Sequence, residues 1–233
     1  MIETEPLLNL KDYTPFELFL FVGGCFLWVI VYAIYIINGR KYKFVEMPVF
    51  AASGNIGWEF TWSWLQRTDM GLLLVWMYRA WFFLDVFIFS YVLRHGRKQV
   101  TTPGIQAYFV PIFVAAAVFW AVAVHFFVEA GYDTTIGANS AYIAQMGISI
   151  LYVILLLRQT SLVGFSWAVA WLKMIGTGMN TIFMCIHPAY DDLYFLRFLA
   201  VTATTIDCVY IAIFWQMRRR LGALEGPPVV RSA

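Results

Sequence analysis

Seven long apolar runs follow one another along the chain, at roughly Phe16–Ile37, Met47–Leu65, Met70–Leu93, Tyr108–Val128, Ala141–Leu157, Phe165–Ile186 and Leu193–Met217. Each is close to the roughly 20 residues a helix needs to cross a bilayer. None shows the two-residue alternation of a barrel strand, so helices are the consistent reading. The breaks are short and rich in turn formers: NGRKYK, RHGRKQVTTPG, GYDTTIGAN and HPAYDD. No second domain interrupts the pattern. The chain therefore reads as one all-α polytopic membrane domain over residues 1–233, a seven-transmembrane helix bundle.

The basic residues between the runs set an orientation. Arg40, Lys41, Lys43, Arg94, Arg97, Lys98, Arg158, Arg218, Arg219, Arg220 and Arg231 all fall on one side, 11 of the 16 Lys and Arg. Only Lys11 and Arg67 fall on the other, and Arg79, Lys173 and Arg197 lie within the runs. This places the N-terminus outside or in the lumen and the C-terminus in the cytosol, which requires an odd number of spans.

Composition agrees with the pattern and narrows the chemistry. Of 233 residues, 61% are apolar and 13% charged, against roughly 45–50% and about 25% in ordinary soluble domains. Seven spans take up roughly 140 residues, so no soluble catalytic domain fits and any chemistry must lie inside the bilayer. A net charge of +2 gives no nucleic-acid footprint. Cys25, Cys185 and Cys208 are scattered through apolar runs and read as buried free thiols. The first residues are acidic (Glu3, Glu5, Asp12), so no cleaved signal is expected.

Ionisable side chains at membrane depth cost at least about 2.5–3.5 kcal/mol each, so each needs a partner or a function. The runs hold Glu59, Arg79, Asp85, His125, Lys173, Arg197 and Asp207, with Asn55, Gln145 and Asn180 as neutral company. At about 1.5 Å per residue two layers emerge. Glu59, Arg79, Arg197, Gln145, Asn180 and His125 belong to the lumenal half. Asp85, Lys173 and Asp207 belong to the cytosolic half, where Asp85 and Lys173 are expected to form a structural charge pair. Same-face spacing groups Asn55, Glu59 and Ser63 in the second run, and Lys173, Gly176, Thr177 and Asn180 in the sixth.

Aromatic residues are the other excess, at 19%. Trp64, Tyr42, Tyr190 and Tyr194 suit interfacial belts. Trp58, Trp62, Trp76, Trp81, Trp120, Trp167 and Trp171 fall deeper, and several of them are candidates for the wall of an apolar pocket. Ring faces stabilise positive charge without being nucleophilic. No His or carboxylate pattern suits a metal, and Asp191–Asp192 reads as a solvated turn. No GxGxxG, P-loop or nucleophile elbow is present, so hydride and phosphoryl transfer are disfavoured and no cofactor is expected.

The run NIGWEF (Asn55–Phe60), together with DCVY (Asp207–Tyr210) in the last span, resembles the membrane-bound terpene cyclases of fungal meroterpenoid and indole-diterpene pathways, the pyripyropene- and paxilline-type cyclases. Size, span number, short loops and aromatic richness are similar along nearly the whole chain. The resemblance implies cyclisation started by protonation of a terminal epoxide or alkene, without loss of diphosphate. The substrate implied is a prenylated small molecule with a farnesyl or geranylgeranyl chain, supplied by a prenyltransferase and an epoxidase of the same pathway. The family's two functional carboxylates carry over to Glu59 as general acid and to Asp207. The expected pocket residues are Asn55, Trp58, Trp62, Arg79, Asn180 and Tyr210. Glu59, beside neutral Asn55 and indoles, sits where burial favours an acid that keeps its proton.

Two other readings use the same residues. A small proton-coupled transporter would employ the buried charges as a relay, but its half-to-half repeat is reduced to a loose echo between GNIGWEF and GTGMNTIF. A retinal photoreceptor needs a lysine in the last span, which has none. The expected location is the bilayer of the endoplasmic reticulum in a fungus, or the plasma membrane in a bacterium.

Overall fold

The computed structural model describes residues 6–225. Glu3, Glu5 and Arg231 lie outside them. Among the described residues the chain is all helical, with no strand. The helices are α1 (Pro15–Tyr42), α2 (Val49–Phe60), α3 (Leu72–His95), α4 (Pro103–Ala107), α5 (Phe109–Glu129), α6 (Ala138–Leu157), α7 (Trp167–Ile186) and α8 (Tyr194–Glu225). Six of them, α1, α3, α5, α6, α7 and α8, are long and apolar enough to cross a membrane. The all-helical, multi-pass class read from the apolar runs is therefore the observed one.

The second run is helical over nearly its expected length, but not as one α-helix. Its α-helix has 12 residues and passes directly into a single π-helical turn at Thr61–Leu65. Pro48 stands at the start and Gln66 is extended at the end, so the helical stretch covers 49–65, at the short end of the roughly 17–25 residues of a complete crossing. The Thr61 hydroxyl lies 3.1 Å from the Gly57 carbonyl and 3.0 Å from that of Ala121 in α5. A threonine hydroxyl bonded back to the preceding turn competes with the helix ladder, and π turns are a usual result of such local disturbance.

Helix starts follow local chemistry. Thr14 and Glu17 form a capping box ahead of α1, with Pro15 in the first turn. Ser166 caps α7 by accepting from the Val169 amide. Residues 6–9 lie across the start of α3, where Pro6 and Leu7 carbonyls accept from Leu72 and Leu73 and satisfy two amides that the helix leaves free.

Small residues set the closest crossings. A Cβ on Gly24 of α1 would come within 2.7 Å of the Gly176 carbonyl of α7. A Cβ on Gly57 of α2 would come equally close to the Ala117 carbonyl of α5. Membrane helices pack through such contacts because water supplies no hydrophobic drive between them. α7 packs against α1 and α8, α3 against α1 and α2, and α6 against α8. One end of the bundle gathers the α1 start, the π turn, the α3 start, the α5–α6 loop and the α7 end. Tyr13 stacks on His187 there, and the Tyr78 hydroxyl donates to the Ile136 carbonyl. At the other end Gln99 donates to the Val45 carbonyl, and Glu46 accepts from the Ser166 amide.

Candidate active site

A cavity opens in the half of the bundle nearer the α1 start. It holds about 780 Å³ of atom-free space, part of it continuous with the outside. Five helices line it: α1 with Trp28 and Tyr32, α2 with Asn55, Trp58 and Glu59, α3 with Tyr78 and Trp81, α6 with Tyr142 and Gln145, and α7 with Thr177 and Asn180. Neither α5 nor α8 contributes. The wall is mainly apolar, with seven aromatic side chains among its 19 residues and polar groups at a few positions.

Glu59 is the acidic residue of this lining, and it is 2% exposed. Its Oε1 accepts from the Tyr32 hydroxyl at 2.6 Å and from Asn55 Nδ2 at 2.9 Å. Its Oε2 has no hydrogen-bond partner among the described residues. Asn55 Nδ2 also lies 2.5 Å from the Tyr32 oxygen and 3.3 Å from Asp85 Oδ2. One amide group thus links two buried carboxyls and a phenol. No basic side chain pairs with Glu59 or Asp85 among the described residues.

The aromatic wall is held by its own polar contacts. Trp58 donates its indole N–H to Ser140 at 2.8 Å, and the Ser140 hydroxyl bonds Asp133. Asp133 in turn accepts from the Thr134 and Asn139 amides at the start of α6, so this helix cap fixes the Trp58 ring. Tyr78 stacks on Trp81 with ring centroids 5.7 Å apart, and Trp58 stacks on Trp62 at 6.1 Å. The arrangement surrounds an uncharged space with electron-rich faces, beside an acid whose second oxygen is unused.

Compared with known proteins, residues 3–220 match the family model of Pyr4-like transmembrane terpene cyclases. The chain belongs to this family. A relative, terpene cyclase macJ of Penicillium terrestre, is 26% identical over 209 residues, which cover 83% of this chain and 78% of that protein. No solved structure matches. Family membership makes the chain a multi-pass membrane enzyme of the terpene cyclase type and does not favour a transporter. It also reaches into the segment before Phe16.

Of the residues expected around the pocket, Asn55, Trp58, Glu59 and Asn180 line the cavity. The others lie elsewhere. Trp62 is buried behind Trp58 and does not reach the lining. Arg79 is drawn between the rings of Trp64 and Trp76, 5.1 and 4.9 Å from their centroids, and its Nε donates to the Ser63 carbonyl. Tyr210 belongs to the opposite half, where its hydroxyl donates to Glu46 at 3.2 Å.

The expected Asp85–Lys173 pair does not form. Lys173 donates to Asp207 instead, and both are fully buried. The cause is helix contact: α7, which carries Lys173, packs on α8, which carries Asp207, whereas α3 turns Asp85 toward Asn55 of α2. Asp207 is thereby the counter-ion of Lys173 and lies off the cavity lining. Lys173 also sits over the rings of Tyr152 and Tyr210, at 4.9 and 5.7 Å. Glu46 closes this second cluster from the α1–α2 connection, and burial pushes its carboxyl up to about 8.

The sequence reading missed Tyr32, Trp28, Tyr78 and Tyr142. A signal existed for the first two, since Trp28, Tyr32 and Tyr35 recur at helical spacing on one face of α1. That spacing alone does not say which neighbour the face meets. Among the described residues no three His, Cys, Asp or Glu side chains gather as metal ligands.

Proposed function

We propose that the protein cyclises a prenylated small molecule in the aromatic cavity, with Glu59 as the general acid. The observation that carries this reading is a buried carboxyl on the cavity lining with one oxygen unpartnered. Glu59 protonates the terminal epoxide or alkene of a farnesyl or geranylgeranyl chain. With an epoxide, the proton goes to oxygen, the carbon–oxygen bond breaks and a tertiary cation forms. Internal double bonds then attack in turn, each forming a carbon–carbon bond and moving the cation along the chain. Loss of a C–H proton ends the sequence, so substrate and product are isomers and no diphosphate leaves. The rings of Trp28, Trp58, Tyr78 and Trp81 stabilise the travelling charge, and the wall folds the chain so that successive double bonds meet. Asp207 supports the fold by holding Lys173, in place of the direct role the family resemblance suggested.

Residues 1–233 act in this reading as one membrane domain. α2 and its π turn serve as the seventh crossing, sheltered between α3 and α5, and the N-terminus lies in the lumen. A prenyltransferase and an epoxidase supply the substrate. Membranes carrying the protein, given epoxidised and unepoxidised prenylated aromatic acceptors, convert one class to cyclic isomers. Glu59→Gln membranes with normal protein levels form none; cyclic product from that variant would sink the acid role. Glycosylation sites added at each terminus report the orientation, with only the N-terminal one modified.

A further inference from the structure

We propose that Tyr32 is a positioning residue of the reaction: it fixes the acidic proton of Glu59 on Oε2 and stabilises the carboxylate that proton transfer leaves behind. This rests on Glu59 being the acid. The hydrogen-bond directions follow from the donors available. The Asn55 side chain offers its N–H₂ edge to three oxygens, those of Tyr32, Glu59 Oε1 and Asp85 Oδ2. The N–H₂ edge has two hydrogens, and the two closest of these contacts, to Tyr32 and to Glu59 Oε1, take them. Tyr32 therefore accepts from Asn55, and its single hydrogen is left for Glu59 Oε1 at 2.6 Å. Oε1 receives two donors and has no place for a proton of its own. The carboxylic hydrogen lies on Oε2, the oxygen without a protein partner.

The same two donors serve the moment after transfer. When Oε2 gives up its proton, negative charge spreads over both oxygens, and Tyr32 and Asn55 already point at one of them. Donors aimed in advance at developing charge, in a site without bulk water, lower the barrier without reorganisation. Asp85 Oδ2, 3.3 Å from the same nitrogen, favours the N–H₂ edge on this side of Asn55.

Removing one such donor typically costs about 10²–10³ in kcat. Tyr32→Phe is expected to lower kcat by about 10²-fold with KM within about twofold, since the ring that touches substrate is kept. The loss is expected to be larger for an alkene-terminated chain than for an epoxide, the easier group to protonate. Unchanged kcat, or unchanged kcat with a raised KM, overturns the proposal and leaves Tyr32 as wall. Should Tyr32→Phe fail to accumulate in membranes, fluorinated tyrosines placed at position 32 keep the ring and strengthen the donor. Then kcat rises along the series with donor acidity, and a flat series overturns the proposal. Glu59→Gln assayed alongside separates the two ideas. If it retains turnover, the acid assignment falls; if it is inactive while Tyr32→Phe is fully active, only the role of Tyr32 falls.

Discussion

Two buried polar clusters share this bundle, each with a carboxyl oxygen left without a partner among the described residues, and they differ in the space beside them. Around Lys173 the cation meets Asp207, two tyrosine rings cover it, and Tyr210 reaches Glu46. Tyr35 and Tyr152 close the layer by bonding each other. Neither Lys173 nor Asp207 lies on the cavity lining. Around Glu59 an amide and a phenol crowd one oxygen, the other is bare, and empty space adjoins the residue. Buried charge is thus a poor guide to chemistry taken alone. Of these carboxyls Glu59 is the one on the cavity lining, which is what the proposed acid role requires.

The comparison can be broken most directly at its two centres. Glu59→Gln is expected to lower turnover by about 10²–10⁴-fold while the thermal midpoint in detergent stays as it was. If that variant unfolds and the other cluster tolerates change, the roles assigned to the two clusters are reversed. Lys173→Met is expected to destabilise by about 3–5 kcal/mol, because it leaves a buried carboxylate without its cation. Lys173→Met with Asp207→Leu should regain most of that loss, since no charge then remains to be buried. Thermal unfolding of the single and double variants decides whether the pair is held by mutual need.

A smaller effect sharpens the role of the wall. Trp81→Leu removes one ring face from the cavity, and a cation over an aromatic face is worth about 0.5–2 kcal/mol, so turnover should fall about 2- to 30-fold. Partly cyclised products should appear, visible by mass-matched chromatography. An unchanged product pattern would remove Trp81 from the stabilising wall.

A further effect concerns pH at the Lys173 end. Burial raises the Glu46 carboxyl from its usual 4.5 to about 8, against the opposing Ser166 amide, Tyr210 hydroxyl and Lys173 charge. Between those values the folded protein keeps a proton that the unfolded chain has lost. Stability is therefore full below about pH 4.5 and declines as pH rises toward 8. The thermal midpoint should drop across that window, and Glu46→Gln should flatten the drop. A wild-type midpoint that rises with pH there would contradict the burial of Glu46.

How far these clusters could be read from the sequence follows from what each depends on. Long apolar runs mark helices because crossing a bilayer leaves the backbone few alternatives, and six of the seven runs form full-length helices. The second run is a shorter α-helix ending in a π turn, a local change of winding that hydropathy does not register. Glu59 and Asn55 were legible as a pair because they lie four residues apart on one helix. Tyr32 was not, since its approach depends on the rotation of α1 against α2. Asp85 and Asp207 showed the same limit. Their depths were similar in the sequence, and only the choice of neighbouring helix decided which of them met Lys173.

The cavity draws its lining from α1, α2, α3, α6 and α7 and nothing from α8. This separates two kinds of inherited change. Substitutions in α8 are filtered by whether the bundle still assembles, and they leave the shape of the reacting space alone. Substitutions at the wall positions of the other five helices can redirect ring closure while the scaffold persists. On the proposed function, new ring skeletons arise by drift among the 18 wall positions of those five helices, and a library meant to diversify products is best confined to them.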